Sequence, residues 1–168
     1  MKPILRALIP AFLLMTTFGL YAGDNSSETA SASKPPSAVI DSTNAAGSIT
    51  VNKPRIRATA PGQTISGAFM MLVNNSATAY TLTSVSYSGA STVEIHETSM
   101  HEGRMRMRKV SHVDIPANDS AELKPGSYHI MLIGLEKAMR AGTSEPLTLK
   151  FSDGSQKTVE ALVGTLSE

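Results

Sequence analysis

The feature that most constrains this chain is a series of short apolar or alternating runs, cut at intervals by turn signals. Residues 65–73 (ISGAFMMLV), 79–87 (AYTLTSVSY), 92–97 (TVEIHE) and 104–110 (RMRMRKV) are four such runs. Residues 121–124, 128–133 (YHIMLI), 147–151 and 158–163 are four more. Between them lie Pro61-Gly62, Asn74-Asn75, Ser88-Gly89, Glu102-Gly103, Pro125-Gly126 and Asp153-Gly154. Period-2 alternation puts one face in a core and the other in water. Many such runs with turn chemistry between them predict an all-β sandwich or barrel. Only residues 135–140 read as a helical turn. No internal repeat is present.

The folded part occupies a fraction of the 168 residues. Lys2 and Arg6 precede a mostly apolar run over residues 7–20, and the small residues Ala22 and Gly23 follow. That order is the order of a cleavable export signal, and the run is shorter than the ~20 apolar residues a spanning helix needs. Residues 23–47 are rich in Ser, Thr, Ala, Asn and Pro and can bury little, so they read as a flexible tether. The expected organisation is a signal peptide over 1–22, a linker over 23–47 and a single β-domain over 48–168. Removing 1–22 deletes Lys2 and Arg6 and no acid, which takes the formal charge from +1 to −1. A nearly neutral domain is not built to bind nucleic acid or to attach to lipid by charge. The chain has no cysteine, so the core alone holds it, and thiolate metal sites and thiol nucleophiles are excluded.

Four side chains stand out by type and spacing: His96, ten residues, Met107, twenty-one residues, His129, one residue, Met131. His129 and Met131 are two apart on an expected strand, so they leave the same face. Met105 and Met107 share a face of their own strand, with Arg104, Arg106 and Arg108 on the other. Glu102-Gly103 is a natural turn for folding that strand back beside His96. Singly, each residue has an ordinary explanation: Met fills gaps in cores, and His can be a satisfied polar residue at a sheet edge. Together they are the donor set suited to monovalent copper, since thioether sulfur is soft and imidazole accepts copper readily. Protonated imidazole cannot coordinate, so affinity is expected to fall on acidification. An ion held this way leaves by ligand exchange only if one ligand edge is open to solvent.

That spacing resembles the pattern of the periplasmic copper chaperone family PCuAC: His, ten residues, Met, twenty-one residues, His-x-Met. The segments VEIHETSMHEGRMRMRKV, IPANDSAELKPGSYHIMLIGL and PLTLKFSDG resemble the family as well, and the resemblance spans residues 49–163. It implies a cupredoxin-like Greek-key β-sandwich that binds one Cu(I) through His96, Met107, His129 and Met131. It also implies a monomeric periplasmic carrier that hands copper to the dinuclear centre of cytochrome c oxidase, through subunit II or another periplasmic copper chaperone. After signal cleavage no stable membrane insertion is expected. Two departures are visible. Thr98 stands where many members have a methionine, and Met100 and His101 are at best weak donors in an exposed turn. The chain ends at TLSE, so no His- and Met-rich tail site is expected. A copper-sequestering protein would use the same ligands, and a structural β-sandwich on a stalk would use none. An enzyme is not expected: blue-copper chemistry needs cysteine, and no nucleophile elbow, phosphate loop or zinc-protease helix occurs.

Overall fold

The computed structural model describes residues 44–165. The expected signal peptide and residues 23–43 of the expected linker lie outside the described residues. A single helical turn, α1 (Ala45–Ser48), leads into ten strands. These are β1 (Ile49–Arg57), β2 (Ile65–Asn74), β3 (Tyr80–Ser86), β4 (Ala90–His101) and β5 (Arg104–Val110), then β6 (Val113–Ile115), β7 (Ser120–Leu123), β8 (Tyr128–Leu135), β9 (Ser144–Phe151) and β10 (Gln156–Gly164).

The strands form one sheet in the order β5-β4-β8-β7-β2-β1-β10-β9-β3-β6, and β8 also pairs directly with β2. Most neighbours are distant in sequence, as Greek-key connections require. Strand β1 joins the two halves: it runs antiparallel to β2 and parallel to β10, from Arg55 opposite Leu162 to Arg57 opposite Gly164. The inward faces of the two halves enclose one core, with Leu72, Ile95, Ile130 and Leu132 from one half and Leu82, Leu147, Leu149 and Phe151 from the other. Burial of a side chain of this size contributes about 1.5–3 kcal/mol. The result is the all-β sandwich expected from the alternating runs.

Besides the short strand β6, which no predicted run covers, three local features differ from the sequence expectation. Strand β1 is not among the predicted runs, and Asn52-Lys53-Pro54 interrupts it. The chain absorbs that triplet as an irregularity between Asn52 and Arg55, with Lys53 at φ 48°. A bulge is one of the few places in a sheet where proline costs no ladder hydrogen bond. Residues 135–140 are not helical: Leu135 closes β8, and the following segment is irregular. Met139 is the reason, since its side chain is buried and its backbone N–H and C=O both bond to Thr59. Residues 45–47, read as linker, belong to α1. Asn44 caps it by accepting from Gly47 N–H, while Asp153 accepts from Ala45 N–H at 2.7 Å and Ser155 from Ala46 N–H. Composition hides this turn because Ala45, fully buried, is small enough to look like linker. Among the described residues no helix is long and apolar enough to cross a membrane.

Candidate metal centre

Strand register decides which side chains can meet. The β4–β5 hairpin turns at Glu102 and Gly103, at φ 51° and 72°. Two successive positive φ values in a two-residue loop match the twist of the flanking strands. The turn sets Met100 opposite Met105, Thr98 opposite Met107 and His96 opposite Lys109. On the other side of β4, His96 lies opposite His129, and Glu94 opposite Met131. Directly opposed residues share a face, and so do residues two apart. His96, Met107, His129 and Met131 therefore stand on one face of the three strands β5, β4 and β8. The opposite face of β4 and β8 carries Ile95, Ile130 and Leu132 into the core. Arg104, Arg106 and Arg108 take the face opposite the methionines, as predicted, and Arg108 bonds to Glu97 through Nε and Nη2.

The two imidazoles are held in a specific way. Their ring centroids are 6.0 Å apart, with planes tilted by 52°. A metal–nitrogen bond of about 2 Å puts both rings within reach of a single ion. His129 is 5% exposed. Its Nδ1 lies 3.0 Å from the Ser127 carbonyl oxygen. That oxygen can only accept, so Nδ1 carries the hydrogen and Nε2 keeps its lone pair. The same carbonyl accepts from Thr98 N–H, which fastens the loop before β8 to β4. His96 Nε2 lies 2.8 Å from Glu94 Oε2. Hydrogen bonds from Lys109 and from the His96 ring hold the Glu94 carboxyl below the usual range. Glu94 is thus an acceptor near neutral pH, Nε2 is the donor, and the His96 lone pair is on Nδ1.

Those two lone pairs are unspent. Among the described residues, His96 Nδ1 and His129 Nε2 are the only buried side-chain nitrogen or oxygen atoms without a hydrogen-bond partner. Leaving such an atom unsatisfied costs about 1–3 kcal/mol. An imidazole whose second nitrogen donates to a carboxylate or a backbone carbonyl is the usual arrangement of a metal ligand. Among the described residues no three His, Cys, Asp or Glu side chains are grouped to hold an ion. An ion at these two nitrogens would thus complete its coordination from sulfur or solvent. Met107, His129 and Met131 line one cavity of about 500 Å³ together with Met105, Gly67 and Phe69. His96 is not among the lining residues; its ring stands beside that of His129, which is. Met131 is half-buried, while Met107 is 55% exposed and supplies the open edge.

Glu94, Phe69 and Gly67 were not singled out from the sequence. Glu94 was accessible, since it precedes His96 by two residues and so shares its face. Phe69 was not: it lies sixty residues from His129, on which its ring stacks at 6.4 Å and 26°. Gly67 makes the room. It sits opposite Met131, and a Cβ built on it would come 2.9 Å from Phe69 Cζ and 3.2 Å from Cε2. Gly67→Ala is accordingly expected to push the Phe69 ring off His129 and to shift the His129 ring resonances. The net stability change should stay within about 1 kcal/mol, since alanine also restricts the unfolded chain. Unchanged His129 resonances would mean that Gly67 is not what seats the ring.

Comparison with known proteins agrees with this fold. The family model described as "Putative lipoprotein LpqE-like" matches residues 49–163. A relative from Leifsonia xyli subsp. xyli, "Putative lipoprotein Lxx21020", is 34% identical over 120 residues, which cover 71% of each chain. Among solved structures, the copper-bound PCuAC domain from PmoF2 superposes with a TM-score of 0.61 at 23% identity, over 73% of this chain and 97% of that one. The solution structure of CuI-DR1885 from Deinococcus radiodurans gives a TM-score of 0.59 at 26% identity, over 79% of this chain and 89% of its own.

Proposed function

We propose that this chain, which belongs to the LpqE-like family, binds Cu(I) through His96, Met107, His129 and Met131 and carries it through the periplasm. Its recipient is the dinuclear copper centre of cytochrome c oxidase, reached at subunit II directly or through another periplasmic copper chaperone. The observation that carries the reading is the pair of buried, unpartnered imidazole nitrogens with two thioethers on the same face. The copper-bound form of the PmoF2 domain and the Cu(I) form of DR1885 support the choice of metal.

The donor set fits a carrier. Two neutral imidazoles and two neutral thioethers hold Cu(I) without proton release and disfavour the harder Cu(II). The Glu94 carboxylate, acting through His96, gives the site partial charge balance without ligating. Met107, exposed at the rim, is the ligand that an incoming donor can displace first. Export rests on the charged start and apolar run over residues 1–22. The family description speaks of lipoproteins, but these 168 residues contain no cysteine, so a lipid linked through sulfur has no attachment point in them.

Anaerobic titration of the chain lacking residues 1–22, in competition with a Cu(I) chelator, should show one tightly held equivalent. X-ray absorption of that form should show both nitrogen and sulfur neighbours. A site with no sulfur neighbour would overturn the ligand assignment. Incubation with the apo copper domain of oxidase subunit II should transfer the ion, and retention of the copper would identify a sequestering protein instead.

A further inference from the structure

We infer that Met100 and Met105 form a second, exposed soft-metal site at the end of the β4–β5 hairpin, through which Cu(I) enters and leaves the imidazole pocket. The inference rests on the reading that the pocket holds Cu(I).

The pairing is direct. Met100 lies opposite Met105, one step beyond the His101–Arg104 pair that flanks the two-residue turn. In such a hairpin the flanking pair exchanges hydrogen bonds, and the next pair is of the non-hydrogen-bonded kind. Residues in that kind of pair are about 4.5 Å apart at Cα and their side chains lie closest together. Two long, flexible thioethers so placed can reach one ion.

Packing does not account for these methionines. Each is 67% exposed, so neither fills a gap in the core. Nearly the whole of β5 is exposed, and its other face carries three arginines. An edge strand in water has no stability reason to carry thioethers on one face. His101, the other residue noted at this turn, shares its face with Arg104, away from the methionines, and is not part of the pair. It lies 3.9 Å from Glu102 instead.

The pair also connects to the pocket. Met105 precedes Met107 by two residues on the same face, a step of about 6.5 Å. Met105, Met107, His129 and Met131 all line the same cavity. The result is a line of sulfur donors from the hairpin end to the buried imidazoles. Two thioethers without imidazole hold Cu(I) more weakly than the pocket does. An ion delivered at the hairpin therefore moves inward, and a recipient docking there withdraws it by the same route. No electron or proton moves: copper stays Cu(I), and one sulfur or nitrogen lone pair replaces another at each step.

Titration of the full chain, with its methionine methyls labelled with ¹³C, against Ag(I) tests this, since Ag(I) shares the charge and closed shell of Cu(I) without its air oxidation. The first equivalent should move the Met107 and Met131 methyls and the imidazole resonances. The second should move Met100 and Met105. The double variant Met100→Leu, Met105→Leu changes two exposed, similarly sized side chains, so the fold should persist. It should keep the first equivalent, lose the second, and release Cu(I) to a bidentate chelator several-fold more slowly. Met100 and Met105 methyls that stay still while Met107 and Met131 respond would remove the hairpin site and leave the pocket standing. A first equivalent that leaves Met107, Met131 and both imidazoles unmoved would overturn the pocket itself, and the inference with it.

Discussion

His129→Ala should lower Cu(I) affinity by more than about 100-fold in a competition titration, while the apo domain stays folded. Loss of residues that only orient a metal ligand costs 10–100-fold in affinity, and a lost ligand should cost more. Two opposing terms keep the apo protein close to its starting stability. Removing the imidazole removes the unpartnered Nε2, a gain of about 1–3 kcal/mol. It also removes the hydrogen bond from Nδ1 to the Ser127 carbonyl and the stack on Phe69, losses of about 0.5–1.5 kcal/mol each. His96→Ala should behave similarly at the pocket. Met105→Ala should weaken the tight equivalent less than either histidine variant, because Met105 lines the cavity without being one of the four ligands. Equal affinities for the three variants would remove His96 and His129 from the ligand set.

Phe151→Ala should destabilise the domain by about 3–5 kcal/mol, the usual range for removing a buried aromatic ring. Phe151 is 1% exposed and heads the fully buried side chains by volume. It ends β9, opposite Leu82 of β3. No disulfide shares the load, since the chain has no cysteine. Against a total stability of about 5–15 kcal/mol, such a loss is a large fraction of the whole. Thermal unfolding should shift down by about 10–20 °C. Tight Cu(I) binding by the folded fraction should be unchanged, because Phe151 is not among the residues at the imidazole cavity. A loss under about 1 kcal/mol would mean that the ring is not packed as described.

The strands were legible wherever their pattern is local. Arg104–Val110 is predicted residue for residue, because alternating Arg and Met leave no other period. The Glu102-Gly103 turn was legible from its chemistry, and with it the neighbourhood of β4 and β5. Strand β1 was not, because Pro54 forbids a regular ladder and only the bulge at Lys53 permits the strand to continue. Strand β6, three residues long, is too short to show a period. The 135–140 segment carried a helical pattern that the burial of Met139 overrides.

For the candidate site, the sequence by itself determined the donor types, their spacing, and which neighbours on one strand share a face. Those are consequences of covalent chemistry and of the two-residue strand repeat. Tertiary structure decided the rest: that His96 lies opposite His129 across thirty-three residues, that Phe69 covers one imidazole, and that Glu94 and the Ser127 carbonyl leave one lone pair free on each ring. Register between strands far apart in the chain is set by how their inward faces pack, and a shift of one residue would send every donor to the other side of the sheet. No repeat within a single strand encodes that choice.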